Sequence, residues 1–206
     1  MLSLEKNKKA LVLVAHPDDE TIWMGGTIMA HSDINWTIFS LCRASDIDRA
    51  PKFKKVCDFY KADSVIADLD DDNDVDFDIL VASAKSIVKE KLEDNNFDYI
   101  FTHGANGEYG HDRHIVVYEA VNELLEEKFI NPKRIFYFDY KKKDENREFS
   151  EMISGSDEAV LFELSSALYE KKRREVVSEI YGFDYDGIDA AYCTNPEAFL
   201  VRELEC

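Results

Sequence analysis

Residues 10–20 read Ala-Leu-Val-Leu-Val-Ala-His-Pro-Asp-Asp-Glu. An apolar run passes without a break into polar, turn-forming residues. Apolar side chains on consecutive rather than alternate positions mark a strand covered on both faces, as in a parallel sheet between helix layers. The polar residues then emerge at the carboxyl end of that strand, where open α/β sheets gather ligands. Ionisable groups leaving so buried a strand need a partner, because an unpaired buried charge is costly.

Working outward, further strand-like runs occur at 36–41, 64–69, 99–102, 134–140 and 159–164. Helical patterns at 21–31, 51–61, 77–94, 114–128 and 166–181 alternate with them. Strands alternating with helices imply right-handed crossovers, which predicts an α/β fold: a three-layer Rossmann-like sandwich with a mostly parallel central sheet. Pro51 suits the first turn of its helix, and Asn131-Pro132 stops the fourth. The chain carries no repeat or low-complexity linker, and 206 residues suffice for one well-buried core. It reads as a single domain, 1–206. The polar stretch 141–157 is expected to be a surface loop.

The net charge is −18, from 43 acidic and 25 basic residues. Such a field repels nucleic acid and anionic membranes, which bind basic footprints. Seven of the eleven residues 68–78 are aspartate, but they lack the glycine and terminal glutamate of a calcium loop, so a solvated acidic loop is expected. No apolar run approaches the roughly 20 residues that span a bilayer. The lysine-rich first ten residues precede an apolar stretch too short for a secretion signal. The expectation is a cytoplasmic protein without stable membrane insertion. Cys42, Cys57, Cys193 and Cys206 show no metal-binding spacing and read as reduced thiols, with packing accounting for Cys42 and Cys57.

The chemistry gathers in two loops. His16 and Asp19 are three apart, so a tight turn can bring both onto one divalent ion. Taken alone, Asp19 serves equally well as a helix cap. The second loop, 103–114, follows the apolar run 99–102 and holds three of the five histidines: His103, His111 and His114. Gly104, Gly107 and Gly110 permit backbone shapes that other residues resist. Three ligands, His16, Asp19 and one of His111 or His114, would leave a fourth position open, the arrangement of a catalytic rather than a structural metal. Spacing does not choose between the two histidines. Asp18 neighbours a ligand and is the best candidate base.

Residues 15–20 (AHPDDE), Gly25-Gly26-Thr27, and 107–110 (GEYG) followed by HDRH resemble the PIG-L/LmbE family. This family comprises zinc-dependent deacetylases of N-acetylglucosamine-containing compounds. The resemblance runs from Ala10 to about Leu125, with an echo at 195–199 (NPEAF). It implies one Zn2+ per chain held by His16, Asp19 and His114, with Asp18 as general base. It makes His111 a protonated group that stabilises the oxyanion or helps the amine leave. It also implies a small N-acylated amino-sugar substrate. A zinc amidase acting on a non-sugar or thiol-conjugate amide is one alternative; a non-catalytic sugar-binding protein is another.

Many members read His-Pro-Asp-His where this chain has Asp112 and Arg113 between the histidines. A cation at 113 is expected to lower the His111 pKa unless Asp112 points inward. Arg43, Asn106 and Glu108 are candidate substrate-binding residues. Arg43 follows the second strand on the same edge and would hold a hydroxyl or phosphate, or else pair with a nearby acid. Trp23 would stack on a sugar or fill the core, and the segment after Tyr181 is expected to cover the site. A dinucleotide-binding reading fails, because the first loop lacks GxGxxG and puts aspartates where a pyrophosphate would sit. The sequence leaves homo-oligomer formation open.

Overall fold

A computed structural model describes residues 2–147 and 150–204. The first strand, β1 (Lys9–Val14), lies at the centre of the five parallel strands of the sheet. It is flanked in parallel by β2 (Asn35–Ser40) and β4 (Tyr99–Thr102), and these by β3 (Asp63–Ile66) and β5 (Arg134–Phe138). Two antiparallel strands extend the β5 side: β9 (Glu197–Glu203), then β8 (Val160–Phe162). Among the described residues this makes a seven-stranded sheet in the order β3-β2-β1-β4-β5-β9-β8.

Helices cover both faces, so the three-layer sandwich expected from the alternation is the architecture found. Ala10, Val12 and Val14 of β1 face α1 (Asp19–Ala30), α2 (Arg49–Tyr60) and the helix 166–180. Leu11 and Leu13 face α3 (Phe77–Lys91) and α5 (Asp112–Glu126). The chain steps from β1 outward to β2 and β3, then returns to build β4 and β5 on the other side. Such a reversal opens a crevice at the carboxyl ends of the two diverging strands. Here those strands are β1 and β4, and both chemical loops begin there.

The helix 166–180 starts as α6 (Ser166–Lys171) and widens to π-helical turns over Lys172–Ile180. Lys172 is fully buried, and its Nζ donates to Glu197 Oε1 at 2.8 Å. The same carboxylate accepts from Gly26 N (2.8 Å), Thr27 N (2.7 Å) and Thr27 Oγ1 (2.6 Å). A buried charge is tolerable only when its lone pairs are filled, as they are here. Glu197 thereby fixes α1 to β9. A Cβ on Gly26 would lie 2.4 Å from the Leu164 side chain, which would have to shift.

The stretch 141–157 departs from expectation. Instead of a plain loop it contains β6 (Tyr140–Lys142) and β7 (Met152–Ser154), paired antiparallel. Tyr140 and Met152 point into the core while lysines and acids face water, so the sequence looks polar throughout. Strand β9 and the short α7 (Ile188–Tyr192) were also not anticipated. Cys42 lies just beyond β2. Cys42, Cys57 and Cys193 are free and buried, and Cys206 lies outside the described residues. No described helix is long and apolar enough to cross a membrane.

Candidate active site

The loop after β1 is held in a conformation that an L-residue rarely adopts. Asp18 has φ 132° and ψ −31°. Its N–H donates to Glu20 Oε2 at 3.0 Å, and its carbonyl accepts from Thr21 N and Ile22 N at 2.8 Å. Glu20 is in turn fixed by Thr21 Oγ1 and Tyr181 OH, both at 2.7 Å from Oε1. Strain of this kind persists only where the surroundings over-determine it. The result aims Asp18 into a cleft, where Arg49 at the start of α2 pairs with its carboxylate. Burial, then the charge of Asp19, pushes the Asp18 carboxyl up to about 8.

Asp19 lies at the centre of the site. His16 N donates to its Oδ2 at 2.8 Å, and Trp23 Nε1 to its Oδ1 at 3.1 Å. His16 Nδ1 lies 3.3 Å from Oδ2, and His114 Nε2 lies 3.3 Å from Oδ1. The far nitrogen of each imidazole meets another carboxylate: His16 Nε2 is 3.0 Å from Asp71 Oδ1, and His114 Nδ1 is 2.5 Å from Glu108 Oε2. With those far nitrogens donating, both rings turn a lone pair toward Asp19.

His114 Nε2 is fully buried and has no hydrogen-bond partner. A lone pair facing a carboxylate oxygen in a dry interior is unfavourable, and buried polar atoms rarely stay unpaired. A cation beside His114 Nε2 would resolve the conflict: His16, His111 and His114 form one group placed to hold an ion, and Asp19, His103 and His114 another. Two imidazoles and a carboxylate form a donor set normal for zinc. The residues present therefore fit the metal. Cys42 lies close to His16 and Asp71 in a further group placed to hold an ion, with burial raising its thiol pKa.

The loop after β4 turns sharply through α4 (Gly107–Gly110), with Gly107 at φ 58° and Gly110 at φ 88°. Gly104 is needed for close approach, since a Cβ there would lie 2.3 Å from the Phe138 carbonyl. His111 caps α5: its Nδ1 accepts from Arg113 N at 3.2 Å, so the ring hydrogen sits on Nε2. Burial, followed by the neighbouring His114 and His16 rings, lowers His111 to about 4.

That cause corrects the expectation for Arg113. Its guanidinium points away from His111, to the carbonyls of Asp70 (2.8 Å) and Asn73 (3.0 Å). Asp112 is exposed and does not compensate. The acidic run also departs from a merely solvated loop. Asp71 is drawn into the site, held by His16 and by Arg43 at 2.5 Å, while Arg43 also reaches Asp72 at 3.1 Å.

The cleft has a volume of about 470 Å³. Its walls include His16, Asp18, Asp19, Trp23, Arg43, Arg49, Asp71, Tyr109, His111 and Tyr192. Trp23 is core and wall at once, packed against Tyr140 and Tyr192 with centroids 5.1 and 6.1 Å away. The segment after Tyr181 contributes Ile188, Asp189 and Tyr192. Asn106 and Glu108, expected to bind substrate, do not line the cleft. Asn106 donates to Tyr140 O at 2.8 Å and caps the turn by accepting from Glu108 N, and Glu108 is buried behind the histidines. Their polar atoms are already taken by the protein. Arg49 and Asp71 went unnoticed in the sequence; only the fold brings them to the cleft.

The family profile described as "PIG-L: GlcNAc-PI de-N-acetylase" matches residues 11–125, more than half of the chain. The chain belongs to this family. Its fold is similar to that of a deacetylase from the biosynthesis pathway of teicoplanin, with a TM-score of 0.64 and 13% identity over 96% of this chain and 99% of that one. It is also similar to N,N'-diacetylchitobiose deacetylase from Pyrococcus horikoshii, with a TM-score of 0.62 and 13% identity over 95% and 84% of the two chains. A third likeness is to 4-carboxy-2-hydroxymuconate hydratase from Pseudomonas putida, with a TM-score of 0.62 and 13% identity over 97% and 98%. One fold thus carries more than one chemistry, and the reaction must be argued from the site.

Proposed function

We propose that the chain is a zinc-dependent hydrolase that removes the N-acetyl group from an N-acetylglucosamine-containing or related small substrate. The observation that carries this reading is His114 Nε2, buried without a hydrogen-bond partner and facing Asp19 beside His16. His16, Asp19 and His114 would hold the ion. Bound there, zinc would supply Lewis acidity to a carbonyl and to a nearby water at near-neutral pH.

The remaining work falls to this chain's own residues. Asp18 faces the cleft next to the ligands and takes the proton of the attacking water. It then stands ready to return that proton to the departing amine nitrogen. His111 acts as a neutral donor. Its Nδ1 is occupied by the Arg113 N–H, so Nε2–H is free to bond the oxygen on which charge develops. This replaces the protonated role that the resemblance implied, since His111 is lowered to about 4. Arg49 restrains the Asp18 carboxylate, while Trp23, Tyr109 and Tyr192 supply flat apolar surface suited to a sugar ring.

The test pairs elemental analysis with product release. Purified protein should contain one zinc per chain and release acetate from an N-acetylglucosaminyl compound. Asp18→Asn should keep the metal and lose about 10²–10⁴-fold in turnover. Undiminished turnover in that variant removes Asp18 from its role. Amine release only from non-sugar amides would move the activity to the second reading, an amidase using the same parts.

A further inference from the structure

His103 was not among the expected ligands, yet it is fully buried beside the proposed metal centre and, with Asp19 and His114, forms a group placed to hold an ion. Its ring stacks on that of His114, with centroids 3.9 Å apart and planes 19° from parallel. Ala15 N, just past the end of β1, donates to His103 Nε2 at 3.0 Å. A backbone N–H can only donate, so Nε2 is an acceptor and the ring hydrogen lies on Nδ1. That hydrogen is given to Glu108 Oε2 at 2.9 Å. Nε2 also lies 3.4 Å from Asp19 Oδ2. Against burial, the Glu108 and Asp19 carboxylates raise the pKa of the ring.

Glu108 Oε2 therefore accepts from two stacked imidazoles, His103 and His114, and Oε1 accepts from Gly104 N at 2.9 Å. The carboxylate is 1% exposed and its backbone is held at φ 58°, ψ −56°, a strained region for a non-glycine residue. Burying an acid in that conformation is expensive unless the acid has a task. The neighbour of His114 in sequence cannot perform it: Arg113 carries only donors and is turned to the carbonyls of Asp70 and Asn73.

We propose that His103 and Glu108 form a positioning unit that selects which nitrogen of His114 is offered to the metal. The inference rests on the metal-site reading above. Glu108 draws the His114 hydrogen onto Nδ1 and leaves Nε2 bare toward Asp19. His103 holds Glu108 in place and, through Ala15, ties the β4 loop to the β1 loop across the crevice. Partners that orient a metal-binding imidazole through its far nitrogen commonly govern affinity.

Zinc affinity by calorimetry and histidine ¹⁵N spectra of the zinc-loaded protein test the proposal. Glu108→Gln should weaken zinc about 10–100-fold. Its amide offers a donor to a site that supplies only donors. His103→Phe keeps the stacked ring but removes both of its hydrogen bonds, and should weaken zinc about tenfold. Thermal melting confirms that each variant is folded. In the wild type, His114 should carry its hydrogen on Nδ1, and so should His103. That spectrum decides the matter even if neither variant folds. A His114 hydrogen on Nε2, or zinc bound as tightly by both variants as by the wild type, overturns the proposal alone. A wild-type chain that binds no zinc overturns the metal-site reading as well.

Discussion

The part of the chain up to Glu126 and the part after it contribute differently to one site. The first supplies nearly every ionisable group in the cleft: His16, Asp18, Asp19, Arg43, Arg49, Asp71 and His111, with His114 beneath. The second supplies mostly what holds them: Glu197 and Lys172 under α1, Tyr181 on Glu20, and Tyr140 OH on Trp23 O at 2.6 Å. The difference teaches that the chemistry is local in sequence while its support is not. Glu197 bonds Gly26 across 171 positions.

The largest expected effect lies in the first part. Asp19→Ala or His114→Ala should cut turnover by about 10³–10⁴-fold, equivalent to about 4–5.5 kcal/mol of transition-state stabilisation. Steady-state rates on metal-saturated protein measure it. In the second part, Lys172→Met leaves Glu197 buried without its cation. Chemical denaturation should then show a loss of about 3 kcal/mol, with the metal-binding residues themselves untouched. If that variant instead lost turnover at unchanged stability, the division between the two parts would collapse.

Tyr181→Phe joins the two parts, because it removes one donor from Glu20, which holds Asp18. A loss of about 1.5–2 kcal/mol in stability is expected, with kcat falling and KM little changed. A change confined to KM would detach Tyr181 from the Asp18 conformation. The smallest effect belongs to Arg43→Ala, whose pairs with Asp71 and Asp72 are partly exposed. Kinetic constants should move by no more than about fivefold. A far larger change would make Arg43 a direct substrate contact.

The same comparison explains what could be read from the sequence. Strand β1 announced itself because its neighbours on both faces are apolar, and His16 to Asp19 follow it directly. The sheet, the crevice and the two histidine-bearing loops were therefore legible. Asp71 was not, because it is one of seven aspartates in eleven residues and only the return of its loop to Arg43 and His16 distinguishes it. Glu108 was assigned to substrate as a residue of the pocket rim. Its burial depends on the turn that Gly107 and Gly110 permit. Strand β9 was missed because its Arg202 and Glu203 end is polar, although its Ala198 and Phe199 are core.

The central claim is that the His16, Asp19 and His114 cluster works through a bound divalent metal. The most direct test is acetate release from an N-acetylglucosaminyl substrate before chelation, after complete metal removal, and after adding back one equivalent of zinc. The account predicts turnover, its loss, and its return. Turnover that continues at the same rate in protein shown to be free of metal would contradict it.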